Sequence, residues 1–303
     1  MKRIFIIKTV DVNYRLDKWF KKEIHDVPQA LIEKSIRKGN IKVNKKKVKS
    51  SFKLSINDKI EIYNINFKIS IKKKNKVIYI PNKNEIRSSS SIFIENNENF
   101  AVINKPSGIA VQSGTKSKKN IIDILRKTQE FSEAIPFTVH RIDKETTGIL
   151  IVAKNREYAQ LFTSLFRIRK IHKTYLGIVL GEVQKKKGTL TDELVQYEGD
   201  KKILTKAITN FSVIDSNNNY SLLELSPITG RKHQLRKQLL LFGHPILGDS
   251  KYRFIKKNLM KKNDLMLHAY KINFSISNVK YKFSADTPLS FKNTLKEKFL
   301  KIF

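Results

Sequence analysis

The chain has 303 residues, with 61 lysines and arginines against 27 acids and a formal charge of +34. An excess of that size, spread along most of the sequence, points to a polyanionic partner, nucleic acid above all. The 40% of hydrophobic residues can bury a real core, which excludes a disordered basic tail, and the lack of cysteine excludes disulfides, a thiolate nucleophile and cysteine-ligated zinc.

The opening MKRIFIIKTV starts like a signal peptide, but Lys8 ends its apolar run after four residues, so a first strand is expected instead. No stretch approaches the ~18 apolar residues of a membrane span; the expectation is a soluble, cytoplasmic protein with no membrane partner. In RLDKWFKKEI the residues Leu16, Trp19, Phe20 and Ile24 keep helical spacing. VPQALIEKSIRKGN follows, with Pro28 suited to a first helical turn and Gly39 to its end. IKVNKKKVK alternates around Asn44, and FKLSINDKIEI is a second extended segment turning at Asn57-Asp58. The result is a small helix–helix–hairpin unit over residues 1–65. Arg15, Arg37, Lys38, Lys42, Lys45, Lys46 and Lys47 are its candidate phosphate contacts, with Lys49 beside them. Any one of these lysines is more often a solvated surface group; their clustering is the signal. Residues 66–90 drift into charge, then Pro81 and four serines, and read as a linker.

From residue 91 to 303 a larger domain is expected. SIFIENNENFAVINKPSGIAV reads as a hairpin turning at Asn96-Asn97. HRIDKETTGILIVAKN leads into the apolar run Ile149–Ala153, after which Asn155 can cap a helix with Tyr158, Leu161, Phe162, Leu165 and Phe166 on one core face. KTYLGIVLGEV is a strand leaving Lys173 and Tyr175 on the same side. YSLLELSPITGRKHQLRKQLLLFGHPILGD runs strand, turn, helix, with Thr229 as cap and Gly243 as stop. Hairpins interleaved with helices predict an α+β fold with a mixed, largely antiparallel sheet. The six histidines, at 25, 140, 172, 233, 244 and 268, lack metal-site spacing. No metal and no cofactor are expected, and His140, His233 and His268 read as structural hydrogen-bonders.

Two resemblances add to this reading. Residues 14–62, with Arg15, SIRKGNIKVN and LSINDKI, resemble the S4 RNA-binding domain, although Lys45 stands where that family often has glycine. NKPSGIAV, HRIDKETTGILIVAK, HKTYLGIV, PITGRKHQLR, GHPILGDSKY and LMLHA resemble, in order, the motifs of the RluA-type pseudouridine synthases. Ile142, Thr147, Gln112, Lys232 and Gly177 depart from the usual residues, without replacing one that has an assigned chemical role.

The resemblance implies a pseudouridine synthase fold behind an S4-like α/β unit, acting on uridines of 23S ribosomal RNA or the pre-ribosomal large subunit, as a monomer. It implies that Asp143 acts at the ribose C1′ and that Arg236 pairs with it. Arg141 would fill the gap left by the extruded base, and Tyr175 would carry that base with Lys173 alongside. Taken alone, an aspartate between arginine and lysine is more often a surface ion pair, Tyr175 more often packing, and Arg236 more often a solvated helix residue. The competing classes are a non-catalytic RNA-binding assembly factor and a nucleosidase that releases free base. Against the latter, only one candidate carboxylate emerges where glycoside hydrolysis normally uses two.

Overall fold

A computed structural model describes residues 2–24, 28–63, 79, 81–88, 90–113, 119–198, 201–254 and 264–302. The chain divides into two units, Met1–Asn75 and Lys76–Phe303.

The first unit contains β1 (Lys2–Ile6), α1 (Leu16–Glu23), α2 (Gln29–Lys38), β2 (Ile41–Val43) and β3 (Lys59–Tyr63). Its antiparallel sheet has the order β1-β3-β2. Leu16, Trp19 and Phe20 of α1 and Ile32 and Ile36 of α2 meet Ile41, Val43, Leu54 and Ile60 in one core, as their spacing of three and four residues requires. Gly39 closes α2 at φ 80°; its amide donates to Ile36 O and that of Asn40 to Ser35 O, a left-handed stop that satisfies the last carbonyls.

Asn44 and Lys45 form the two-residue turn of the β2 hairpin, with φ of 49° and 63° and the amides of Val43 and Lys46 donating to each other's carbonyls. The Asn44 amide group donates to Asp58 (2.8 Å) and its oxygen accepts from the Lys59 amide (2.8 Å), so a side chain anchors the reversal. Lys45 adopts the left-handed conformation at a cost of roughly 1–2 kcal/mol, part of which glycine would return as chain entropy. Lys45→Gly should therefore stabilise this unit by about 0.5–1 kcal/mol in urea unfolding, and a loss of stability would contradict that reading.

The second unit contains α3 (Lys83–Ser88), β4 (Phe93–Asn96), β5 (Phe100–Lys105), α4 (Ile121–Leu125), β6 (Phe137–Thr138), β7 (Thr147–Ala153), α5 (Arg156–Arg167) and β8 (His172–Leu180). It continues through β9 (Lys187–Glu198), β10 (Lys201–Asn217), β11 (Tyr220–Pro227), α6 (Gln234–Leu241), β12 (Leu267–Ile276), β13 (Val279–Ser284) and α7 (Leu289–Glu297). One sheet runs β4-β5-β7-β12-β8-β11-β10-β9, with β13 on β12 and β6 on β7. Among the described residues only β7 and β12 pair parallel within it. The fold is α+β with a largely antiparallel sheet, as expected.

At the β7–β12 crossing, Gly148 has φ 104°, and a Cβ there would stand 2.2 Å from the Ala269 carbonyl oxygen, so the close approach requires glycine. His268 fixes the neighbouring position. Its Nε2 donates to the Ala285 carbonyl (3.0 Å), which leaves Nδ1 to accept from the Thr147 hydroxyl (2.8 Å).

Three local expectations need correction. Of the stretch 66–90 read as linker, residues 66–78, 80 and 89 lie outside the described residues, but residues 83–88 form a helix. Asn82 and Glu85 cap it reciprocally, and Glu85 also bonds Tyr79 and Lys119. Thr229 does not cap α6. The loop after it is longer than expected, and His233 takes the cap position in a left-handed conformation, while the Thr229 hydroxyl accepts from the Ile208 amide and donates to Gln234. Along α5, capped by Asn155 as expected, Phe162 is fully buried, whereas Leu161 is only half-buried and outside that core.

Candidate active site

Two adjoining hollows in the second unit share Arg141, Lys173, Tyr175, Thr229, Gly230 and Arg231 in their walls. The wider, about 600 Å³, also takes in Gln112, His140, Arg167 and Arg169. The narrower, about 110 Å³, takes in Asp143, His233 and Arg236. Asp143 comes from the loop between β6 and β7, Lys173 and Tyr175 from one face of β8, and Arg236 from α6. The sequence-predicted quintet is thus brought to one place.

Asp143 keeps 25% of its side chain exposed, and its Oδ2 accepts from Arg236 Nη1 at 3.3 Å. The guanidinium is 3% exposed and is held from behind: Nε and Nη2 donate to the two oxygens of fully buried Asp249 at 2.7 and 2.8 Å. Asp249 also accepts from the amides of Lys251 and Tyr252. Burial raises the Asp249 pKa, but the Arg236 hydrogen bonds and those two amides outweigh it, and the net shift is downward. Burial pulls the other way on Arg236, yet its carboxylate partners leave its pKa raised. A fixed positive charge, aimed by a fork–fork pair, therefore faces the partly exposed Asp143 carboxylate, with the exposed Glu145 carboxylate 3.7 Å from the same Nη1.

The Asp143 loop is clasped to the turn after β5. Lys105, fully buried, donates from Nζ to the carbonyls of Pro106 (2.7 Å), Ile109 (3.0 Å) and Lys144 (3.2 Å). The Gly108 amide and the Ser107 hydroxyl add bonds to the carbonyls of Lys144 and Glu145. Burial pulls the Lys105 ammonium down to about 7, against the opposing pull of Glu145 and Asp143. Lys173 is likewise lowered by burial. Burial first, and the Asp143 charge second, raise the Tyr175 phenol, which stays protonated.

His140 accepts the Ile151 amide on Nε2 at 2.8 Å and packs on Phe166 at 4.5 Å. Burial, and to a lesser degree Lys173, hold its pKa down at about 3. A histidine in the unfolded chain titrates near 6.5, so between about pH 6.5 and 3 the unfolded state binds the extra proton. The contribution is fully present above that window and is lost as pH falls through it, by at most ~1.4 kcal/mol per pH unit, an upper bound because His140 keeps a partly exposed edge. Urea midpoints between pH 7 and 4 should fall more steeply for the wild type than for His140→Gln; parallel curves would refute this.

His233 departs from expectation. Its Nδ1 is buried without a hydrogen-bond partner, and its Nε2 stands 4.0 Å from Asp143 Oδ1. Burial lowers its pKa, partly offset by Asp143. Sequence reasoning thus missed His233 as a neighbour of the carboxylate, Asp249 as the anchor of Arg236, and Lys105 as the anchor of the loop. All three lie within quoted blocks, PITGRKHQLR, GHPILGDSKY and NKPSGIAV, the only signal that marked these roles. Among the described residues no group of three or more histidines, aspartates or glutamates could hold a metal ion, and no helix is long and apolar enough to cross a membrane.

In the first unit the predicted basic residues are not equivalent. Arg15 is tied to buried Asp17 through Nε (3.1 Å) and Nη2 (2.7 Å), and half-buried Lys42 lies over the Tyr63 ring at 5.3 Å. Arg37, Lys38, Lys45, Lys46 and Lys47 are exposed.

Comparison with known proteins sets this chain in a family. The family described as RNA pseudouridylate synthase matches residues 99–241, a span holding Lys105, Asp143, Tyr175 and Arg236. The ribosomal large subunit pseudouridine synthase C of Buchnera aphidicola subsp. Schizaphis graminum is 34% identical over 94% of this chain and 93% of its own length. That of Rickettsia conorii is 34% identical over 94% and 99%. The solved structure of human RNA pseudouridylate synthase domain containing 4 superposes with a TM-score of 0.62 at 25% identity, covering 72% of this chain and 96% of the other.

Proposed function

The chain belongs to the RluA-type pseudouridine synthases, and from that premise we propose that it converts uridines of 23S ribosomal RNA to pseudouridine with Asp143 at the ribose C1′. The observation that carries the reading is one carboxylate, clamped by Arg236, in the wall of a narrow hollow that Tyr175 and Lys173 also line. In the reaction the C1′–N1 bond breaks and a C1′–C5 bond forms. C5 loses a proton and N1 gains one, so the product has the mass of the substrate.

Asp143 offsets the positive charge that develops at C1′ as the base departs. Extruding a base costs roughly a few kcal/mol, and stacking on an aromatic such as Tyr175 returns about 1–3 kcal/mol. Arg141, exposed beside Asp143, occupies the vacated stack. Lys173 faces the detached uracil and offsets its negative charge. No step needs a metal or cofactor.

The first unit acts as an S4-like anchor through Arg37, Lys38, Lys45, Lys46 and Lys47, with Arg15 serving to hold Asp17. Five phosphate contacts imply a salt slope, the fall of log K with log[salt], of about 3.5–4.5. Changing all five to glutamine in the full chain should flatten the slope on 23S ribosomal RNA by a comparable amount and leave the single-turnover rate at saturation unchanged. An unaltered slope would reject the anchoring role. The function itself is tested by mapping pseudouridines in ribosomal RNA from cells lacking this protein. Sites that vanish from the large-subunit RNA and return with the wild-type gene support the reading, and an unchanged map rejects it.

A further inference from the structure

A third hollow, about 540 Å³, lies on the other side of the turn that ends α5. Arg167 and Arg169 line the active-site cleft, whereas Ile168 and Lys170 line this third hollow. Arg169 sits at φ 60°, a left-handed residue in the ridge between the two.

The charged groups in the wall of this hollow are all basic: Lys170, Lys280 and Lys282 contribute beside His172, and among the described residues no carboxylate lines it, while Leu165, Ile168, Phe274 and Tyr281 give it apolar surface. Lys282 pairs with Asn273, which on its other side pairs with His172, and Lys280 pairs with Ser275. Lys280 and Lys282 therefore project from the same face of β13, ~7 Å apart, a spacing that successive phosphates of an extended strand can match.

Tyr281, between the two lysines on β13, stacks on Phe274 at 5.1 Å and 17° and on Phe283 at 6.3 Å and 26°, packed against neighbouring rings of the sheet. A concave wall whose charged groups, among the described residues, are lysines alone suits phosphates, contacts that position the RNA rather than read its bases.

We propose that this hollow grips backbone phosphates of the RNA flanking the target nucleotide, extending the active-site cleft across the Arg167–Lys170 ridge. The inference rests on the RNA reading above. Continuity across a single turn and the charge of the wall single out RNA as the occupant.

The test uses the full-length protein carrying Lys170→Gln, Lys280→Gln and Lys282→Gln together. Its affinity is measured by fluorescence anisotropy against salt, on a long 23S ribosomal RNA transcript and on a short stem-loop trimmed from it around a uridine that the wild type converts. Three lost contacts should make the slope of log K against log[salt] shallower by about 2 on the long RNA. The short RNA should keep its slope, and the single-turnover rate at saturation should not change. An unchanged slope on the long RNA overturns the proposal. So does a selective loss of binding to polyglutamate, which would make the hollow a site for an acidic protein segment. Pseudouridine formation by the wild type judges the functional reading separately: without product that reading fails, while the slope on the long transcript still decides the role of the hollow.

Discussion

Asp143→Asn should abolish pseudouridine formation, slowing single turnover by ~10⁴-fold or more, equivalent to more than ~5 kcal/mol of transition-state stabilisation, while RNA affinity stays within about twofold. The substitution is nearly isosteric. The amide oxygen can still accept from Arg236 Nη1, and the loop remains held by Lys105 and the turn after β5. What disappears is the negative charge in the narrow hollow, the feature that offsets charge at C1′. Binding should persist because most affinity for RNA comes from phosphate contacts. Filter binding alongside rapid-quench product analysis separates the two quantities. A variant that still makes pseudouridine removes Asp143 from the chemistry.

The second large effect is expected at Arg236. Arg236→Met leaves fully buried Asp249 with only two backbone amides and deprives Asp143 of its cation. Breaking a buried pair from one side costs about 3–5 kcal/mol, so this variant should melt well below the wild type and lose activity with its fold. Arg236→Lys is the sharper test. A point charge cannot serve both oxygens of Asp249 and reach Asp143 in the same geometry. The protein should fold with a modest loss of stability, but kcat should fall by ~10²–10³ with KM little changed, the pattern of an interaction made in the transition state. A wild-type kcat in Arg236→Lys would show that aiming by the fork is irrelevant to the reaction.

Much of this architecture was legible in the sequence because it is local. The helical spacing of Leu16, Trp19 and Phe20, the cap at Asn155 and the alternation that puts Lys173 and Tyr175 on one face depend on neighbours a few residues away. The motif blocks then brought Asp143 and Arg236 together across 93 residues, which no periodicity could do.

What remained hidden depends on distant partners or on backbone conformation. Asp249 follows Gly248 in a quoted block without a role of its own, and only the folded chain turns it toward Arg236. Lys105 is one of many lysines in the sequence, and its burial becomes visible only where three carbonyls from two loops enclose it. His233 reads in sequence as a hydrogen-bonder, but in the fold it starts α6 with a left-handed backbone, its Nδ1 has no hydrogen-bond partner and its ring stands beside Asp143. The helix at residues 83–88 was lost in a charged, serine-rich stretch, although the Asn82–Glu85 pair carried the signature of a capped start.

The most direct test is a nucleoside balance by liquid chromatography and mass spectrometry on 23S ribosomal RNA incubated with the purified protein. The expected result is that every uridine lost is matched by one pseudouridine gained, with no free uracil in the supernatant. Uracil released in proportion to uridine lost, or RNA bound but left unchanged, would contradict an isomerisation driven by Asp143.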